Sequence, residues 1–356
     1  MTIRMIRRGP TGVARAGMPV VAACLAMAGC AGAPAPKIRA PRATVLPYES
    51  PLEGVGDIVI GRGVTCHAHV LGSPKSAIIV DGGTASTADR VIATLEANGY
   101  TPDSVRAIIL THGHDDHYGS FGKLVEWCGA PVWAHPYAAA QAEDPWGSYM
   151  SALAWRNNTS RNSWRRFQAT YGGKPIRVSR LLREGDTFQI EGRRYEVLHL
   201  PGHDRGQIAL LDRARRAAIV GDTVQGGADC SANWLGIYTD PASQRRSLQR
   251  LKSLDLQWVF RGHRQALKGA EVKADLAAAV QRMDNIEAAI ISALKSGRPC
   301  SLVVVTRAVL KDVLGINAVA VPNYAAVSVE AFLLDMARRG LVRRNADREW
   351  VGVSGQ

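Results

Sequence analysis

Between residues 77 and 110 the chain spells out one α/β unit. Residues 77–80 (AIIV) are an unbroken apolar run closed by Asp81-Gly82-Gly83, the pattern of a buried strand ended by a turn. Residues 86–98 then place Val91, Ile92 and Leu95 at helical spacing, and Gly99 stops that helix. Residues 105–110 (VRAIIL) predict a second buried strand. Upstream, residues 58–60 and 64–71 predict earlier strands. Downstream the alternation continues with a helix at 119–128, a short strand at 131–134, strands at 176–182 and 187–198 (the latter broken at Glu191-Gly192) and a hairpin of 207–212 and 216–220. A helix at 241–253 and a strand at 257–260 close the series. Strands interleaved with helices in this way predict an α/β or layered αββα domain.

After Gly269 the period changes. Val272, Leu276, Val280, Met283, Ile286, Ile290 and Leu294 recur at steps of three and four, a long amphipathic helix that Gly297-Arg298-Pro299 ends. Two further helices are predicted at about 302–314 and 323–339, and residues 341–353 read as a hairpin.

The first residues look like an address. Residues 1–17 carry Arg4, Arg7, Arg8 and Arg15 and no acid, and residues 18–28 are apolar and small, the layout of a secretory signal too short to span a bilayer. It runs into Ala28-Gly29-Cys30, which resembles a bacterial lipobox. That resemblance implies removal of residues 1–29, lipidation of Cys30, a tether over residues 30–50 and an exported protein on the periplasmic side of the envelope, held at the membrane by its lipid. Twin-arginine export fits poorly, because Gly9 and Pro10 follow Arg7-Arg8 where apolar residues belong. The chain has 356 residues and a formal net charge of +13, and four of those charges leave with the signal. Together with export, this argues against a nucleic-acid partner and for attraction of acidic substrates or surfaces. An oxidising compartment would let Cys66, Cys128, Cys230 and Cys300 pair, and their spacing leaves the pairing open.

The chemistry lies where apolar strands run out. Ile108-Ile109-Leu110 leads into Thr111-His112-Gly113-His114-Asp115-Asp116-His117. Val197-Leu198 leads into His199-Leu200-Pro201-Gly202-His203, Ala217–Val220 into Gly221-Asp222, and Trp258–Phe260 into Arg261-Gly262-His263. Functional groups in α/β proteins gather on loops at the carboxyl ends of strands. On an extended segment residues two apart share a side, so His112 and His114 would serve one metal position while Asp116 and His117 serve another. His203 and His263 would complete the two positions. Asp222 would bridge them, since one carboxylate has two oxygens. Imidazole and carboxylate suit zinc, and a set that leaves coordination positions open is catalytic rather than structural. His67, His69, His135 and His199 read as structural histidines.

The motifs THGHDDH (111–117), PGH (201–203), GD (221–222) and GH (262–263) make residues 55–270 resemble the metallo-β-lactamase fold superfamily. The resemblance implies a four-layer αββα sandwich as a catalytic domain over residues 51–270, with the metal site at one edge. It implies two zinc ions, with iron or manganese left open. His112, His114 and His203 would hold the first ion, Asp116, His117 and His263 the second, and Asp222 would bridge. Asp81 matches the aspartate that orients the ligand loop from behind. The implied function is a hydrolase in which a metal-bridging hydroxide attacks the acyl carbonyl of an ester, thioester or lactone, with Asp116 as the catalytic group that orients the nucleophile and moves its proton. The alternative is β-lactam hydrolysis. A nuclease, a persulfide dioxygenase or a non-catalytic metal-binding lipoprotein rank lower. Two departures stand out. Asp204 follows PGH where many relatives have Thr or Ser, and Gln225 stands where the family's acyl-homoserine lactonases carry a tyrosine.

Residues 144–173 interleave Trp146, Tyr149, Trp155, Trp164, Phe167 and Tyr171 with Arg156, Arg161, Arg165 and Arg166. This insert predicts either a lid over the site for an apolar or anionic substrate or a small helical core of its own. Residues 271–356 resemble the winged-helix-like appendage of some superfamily hydrolases, and a packing or homodimer role is expected of them.

Overall fold

The computed structural model of the chain describes residues 44–46, 56–59, 66–147, 174–225, 227 and 234–353. The export signal, Cys30, Cys230 and all but residues 144–147 of the aromatic insert lie outside the described residues.

Two sheets form the centre. The first runs β1 (Thr44–Leu46), β2 (Gly56–Val59), β3 (Ala68–Ser73), β4 (Ser76–Val80), β5 (Val105–Leu110), β6 (Val132–Ala134), β7 (Val178–Leu181), in chain order across the sheet. It is antiparallel as far as β4 and parallel from β4 to β7. The parallel half needs crossovers, and α1 (Ala88–Ala97), α3 (Phe121–Cys128) and α4 (Pro136–Glu143) supply elements of them. The second sheet has the order β13-β12-β11-β10-β9-β8, from β8 (Thr187–Ile190), β9 (Arg193–His199), β10 (Ile208–Asp212), β11 (Ala217–Ile219), β12 (Trp258–Phe260) and β13 (Leu267–Lys268).

Strand alternation explains the layering. In β5, Ala107 and Ile109 face the second sheet, while Ile108 and Leu110 face the helices. In β9 and β10, Val197, Ile208 and Leu210 point into the same inter-sheet core, and Leu198, Ala209 and Leu211 point outward. Both faces of the central strands are therefore buried, which is why they read as apolar runs without alternation. On the far side lie α5 (Pro241–Ser253) and α6 (Ala270–Leu294), completing the expected αββα order.

The C-terminal region follows as α7 (Leu302–Leu314), α8 (Asn323–Arg338) and the hairpin of β14 (Val342–Arg344) and β15 (Trp350–Gly352). It does not form a separate core. Met283, Phe332 and Trp350 join one buried cluster with Leu198, Ala218 and Val259 of the second sheet. Helix α6 is thus both the outer layer of the sandwich and the base of the appendage. No helix among the described residues is long and apolar enough to cross a membrane. Cys66, Cys128 and Cys300 are free thiols.

One local expectation changes. The ligand segment is extended only as far as His114, whose backbone (φ −80°, ψ 143°) is the N-cap of a one-turn helix, α2 (Asp115–Tyr118). Asp116 and His117 are aimed by a helical turn, not by strand alternation.

Candidate metal centre

All seven predicted donors come together at the carboxyl ends of β5, β9, β11 and β12. The ring nitrogens of His112, His114 and His203 form a triangle: His112 Nε2 to His114 Nδ1 is 3.1 Å, His203 Nε2 to His112 Nε2 is 3.2 Å, and His203 Nε2 to His114 Nδ1 is 3.0 Å. Asp116, His117 and His263 form a second group, with His263 Nε2 3.4 Å from Asp116 Oδ2. Asp222 lies between them. Its Oδ1 is 3.6 Å from His117 Nε2, and its Oδ2 is 3.6 Å from His203 Nε2 and 3.1 Å from His263 Nε2. Its approach explains Gly262, where a Cβ would collide with Asp222 Oδ1.

The protons of these rings are assigned by what stands behind them. His117 Nδ1 donates to Asp81 Oδ2 at 2.9 Å, leaving Nε2 buried, turned toward Asp222 and without a hydrogen-bond partner among the described residues. Thr111 Oγ1 donates to Asp81 Oδ2 at 2.8 Å and can accept from His112 Nδ1 at 3.1 Å, which frees His112 Nε2 for the triangle. His203 Nδ1 lies 3.1 Å from the Ile237 carbonyl and 2.9 Å from Gln225 Nε2, and with Nε2 turned into the triangle its proton belongs on Nδ1, directed to the carbonyl. Asp81 therefore orients one ring of each group. It is fully buried and takes a left-handed backbone (φ +59°) that few residues other than glycine and asparagine adopt easily. Gln225 spans a neighbouring gap, accepting from Ile237 N at 2.8 Å and donating to Asp222 Oδ2 at 3.2 Å.

Three imidazole lone pairs turned toward one point cannot satisfy one another by hydrogen bonds once their protons are committed elsewhere. A cation can satisfy all three. Nitrogens around one tetrahedral zinc at ~2.0–2.1 Å stand ~3.3 Å apart, so the observed triangle fits a divalent ion.

The electrostatics agree. Burial, with positive neighbours adding to it, holds His112 well below the usual histidine range. Burial likewise brings His114 and His203 down to about 4. These rings are neutral at pH 7 and ready to donate lone pairs. Burial works against protonation at His117 and His263 too, but there it is outweighed. Asp81 and Asp222 together hold His117 well above its usual range, and Asp222 and Asp116 raise His263 to about 9. Burial alone would raise Asp222, but His263 and His117 hold it well below the carboxylate range. Protons on His117 and His263 balance the carboxylates of Asp222 and Asp116, and an ion bound there would have to replace them.

Several residues around the site were not singled out from the sequence. Asp115 is buried, and burial followed by the Asp116 charge pushes it up to about 8. Cys66 lies against Asp81 and His117 with its thiol pushed up to about 12 by burial, and is therefore neutral. Gln141 is buried on α4, and its place in an alanine-rich helix (PYAAAQAE) was the available signal. His69, His135 and His199 make contacts outside the two donor groups. His69 Nε2 meets the Arg261 carbonyl at 3.3 Å, and His135 stacks on His199 at 4.2 Å.

Residues 61–263 match the metallo-beta-lactamase superfamily, so the chain belongs to that superfamily. The fold and the His/Asp clusters imply divalent metal ions. It is 33% identical over 151 residues to an acyl-coenzyme A thioesterase of Gallus gallus, covering 41% of this chain and 50% of that one. It is 27% identical over 154 residues to a hydroxyacylglutathione hydrolase of Haemophilus influenzae, covering 43% of this chain and 64% of that one. The chain therefore spans between 50% and 64% of the length of these two relatives. In fold it is similar to a metallo-beta-lactamase family protein from Thermus thermophilus, at a TM-score of 0.65 and 22% identity over 88% of this chain and 97% of that one.

Proposed function

We propose that this protein is a dizinc hydrolase of acyl substrates, with a thioester ahead of an ester or lactone. The observation behind it is the pair of donor groups with Asp222 set between them. In this reading His112, His114 and His203 hold one ion, Asp116, His117 and His263 the other, and Asp222 offers one oxygen toward each. Bound there, the ions supply Lewis acidity toward an acyl oxygen and lower the pKa of water toward ~7.

The chain's own groups do the rest. Asp81 and the Ile237 carbonyl keep the ring protons away from the site, so the donors need no rearrangement. Asp116, the proposed catalytic residue, orients the attacking water through Oδ2 and takes its proton. As the carbonyl carbon gains the water oxygen and loses the thiolate or alkoxide, the same proton passes from Asp116 to the leaving group. His263, with its ring about a third exposed, is the donor on the solvent side and marks where substrate enters. The thioester preference draws on the thioesterase and hydroxyacylglutathione hydrolase among the relatives. The placement we favour, exported and lipid-anchored through Cys30, draws on the N-terminal pattern of residues 1–30.

The test is a hydrolysis panel of acyl-coenzyme A and other acyl thioesters, p-nitrophenyl esters, lactones and nitrocefin, run beside metal analysis. Asp116→Ala should weaken the second metal, leave the first in place and lose hydrolysis by about 10²-fold or more. His112→Ala should lose metal and activity together. Turnover of nitrocefin alone would move the assignment to β-lactams. If both variants keep full metal and full activity, the residue assignments are wrong.

A further inference from the structure

Three of the four buried rings have a visible partner for the proton opposite the site, and His114 does not. Its Nδ1 belongs to the triangle with His112 and His203, so its proton belongs on Nε2. That Nε2 is buried and has no hydrogen-bond partner among the described residues. Facing it at 3.9 Å is Oδ2 of Asp204, a carboxylate only 2% exposed.

Asp204 is also tied down. Its Oδ1 accepts from Gly206 N at 2.6 Å, and its Oδ2 accepts from Gln141 Nε2 at 3.0 Å. Gln141 in turn is wedged against the ligand loop, because a Cβ at Gly113 would collide with its side-chain oxygen. Asp204 sits on the β9–β10 loop beside His203, Gln141 on α4, and His114 on the β5 loop. One buried carboxylate therefore stands where two ligand-bearing loops meet. Burying a carboxylate is unfavourable unless donors surround it, and each of its oxygens has a second lone pair to offer. A threonine or serine here would supply only a neutral hydroxyl.

We propose that Asp204 is a positioning residue for the first metal. Its carboxylate receives the His114 Nε2 proton, fixes that ring's tautomer and raises the basicity of Nδ1, while Gln141 holds the carboxylate in place. This rests on the reading of His112, His114 and His203 as a metal site. Partners of this kind are worth 10–100-fold in metal affinity.

The test compares Asp204→Asn, Asp204→Thr and Gln141→Met with the parent chain. Zinc affinity is read by competition with a chromophoric chelator, zinc per chain by elemental analysis, and cobalt(II) ligand-field bands by absorption. Asparagine retains an acceptor for Gly206 N but removes the charge, and threonine restores the relatives' residue type. Asp204→Asn and Asp204→Thr should each weaken the first zinc by about 10–100-fold, leave the second within about threefold, and shift the cobalt bands while the thermal stability of the chelator-treated, metal-free chain stays near that of the metal-free parent. Gln141→Met should move the same site by less. Parent-like affinities and cobalt bands in Asp204→Asn and Asp204→Thr overturn the proposal, as does metal loss that only follows a loss of thermal stability of the metal-free chain. His203→Ala, measured alongside, separates the two readings. If it holds two metals, or the parent holds none, the metal site itself is misassigned. If it loses one metal while both Asp204 variants match the parent, only the role of Asp204 fails.

Discussion

Asp81→Asn tests the tautomer logic of the site with almost no change of shape. Asparagine tolerates the left-handed backbone at this position, so the turn after β4 should survive. One amide oxygen can still accept from Thr111 N, now at 2.8 Å from Asp81 Oδ1. The amide nitrogen, however, replaces the oxygen that accepts from both Thr111 Oγ1 and His117 Nδ1. A donor then faces a donor. Relief comes if His117 moves its proton to Nε2, which removes the lone pair turned toward Asp222. Hydrogen bonds to a charged group contribute ~1.5–3 kcal/mol each, and two are disturbed here. Loss of a second-layer partner typically weakens metal binding 10–100-fold, or ~1.4–2.7 kcal/mol. We expect Asp81→Asn to fold, to bind the second metal, the one assigned to His117, about 10–100-fold less tightly, and to lose hydrolysis in proportion at limiting metal. Chelator competition with metal-per-chain analysis reads this directly. Asp81→Ala is the cruder control, since it leaves Thr111 N and His117 Nδ1 without acceptors and should destabilise the fold itself. Two metals bound at parental affinity in Asp81→Asn would refute the reasoning.

Metal removal should lower thermal stability, by about 4 kcal/mol per site for an ion present at a thousand times its dissociation constant. Melting with and without a chelator, followed by zinc add-back, checks this. Asp275→Ala should destabilise the fold by ~3–5 kcal/mol in urea unfolding, because it strips a buried partner from Arg261. Arg261 Nη1 donates to Asp275 Oδ2 at 3.3 Å, joining the His263 loop to α6. His135 should confer a pH dependence. Burial, then the neighbouring His199, holds it down to about 4, and its Nδ1 accepts from Tyr137 N at the start of α4. The unfolded chain binds this proton near pH 6.5, so stability falls as pH drops from 6.5 toward 4, by ~2 kcal/mol at pH 5 for this group. His135→Asn, which caps without titrating, should flatten the slope by that amount, and an unchanged slope in urea melts at pH 7, 6 and 5 would contradict it.

Much of this was written in local pattern. Apolar runs such as residues 77–80 and 105–110 mark strands buried on both faces, and burial on both faces is what a sheet between two layers requires. The seven candidate donors were legible because their residue types recur at strand ends, where imidazole and carboxylate cluster as metal ligands do. Local pattern says nothing about which side chains meet across the fold. Asp204 and His114 are 90 positions apart, and Arg261 and Asp275 lie on different elements. Gln141 sits on an alanine-rich helix with no chemical motif around it. The C-terminal helices looked like an appendage because periodicity reports a buried face and not what covers it, and only packing placed Phe332 and Trp350 in one core with the second sheet. The sequence by itself determined the elements and the candidate donors, since both depend on neighbours along the chain. The tertiary structure alone decided each ring's proton, the carboxylates behind the rings and the partner of every buried charge, because those depend on residues that only folding brings within a few ångströms.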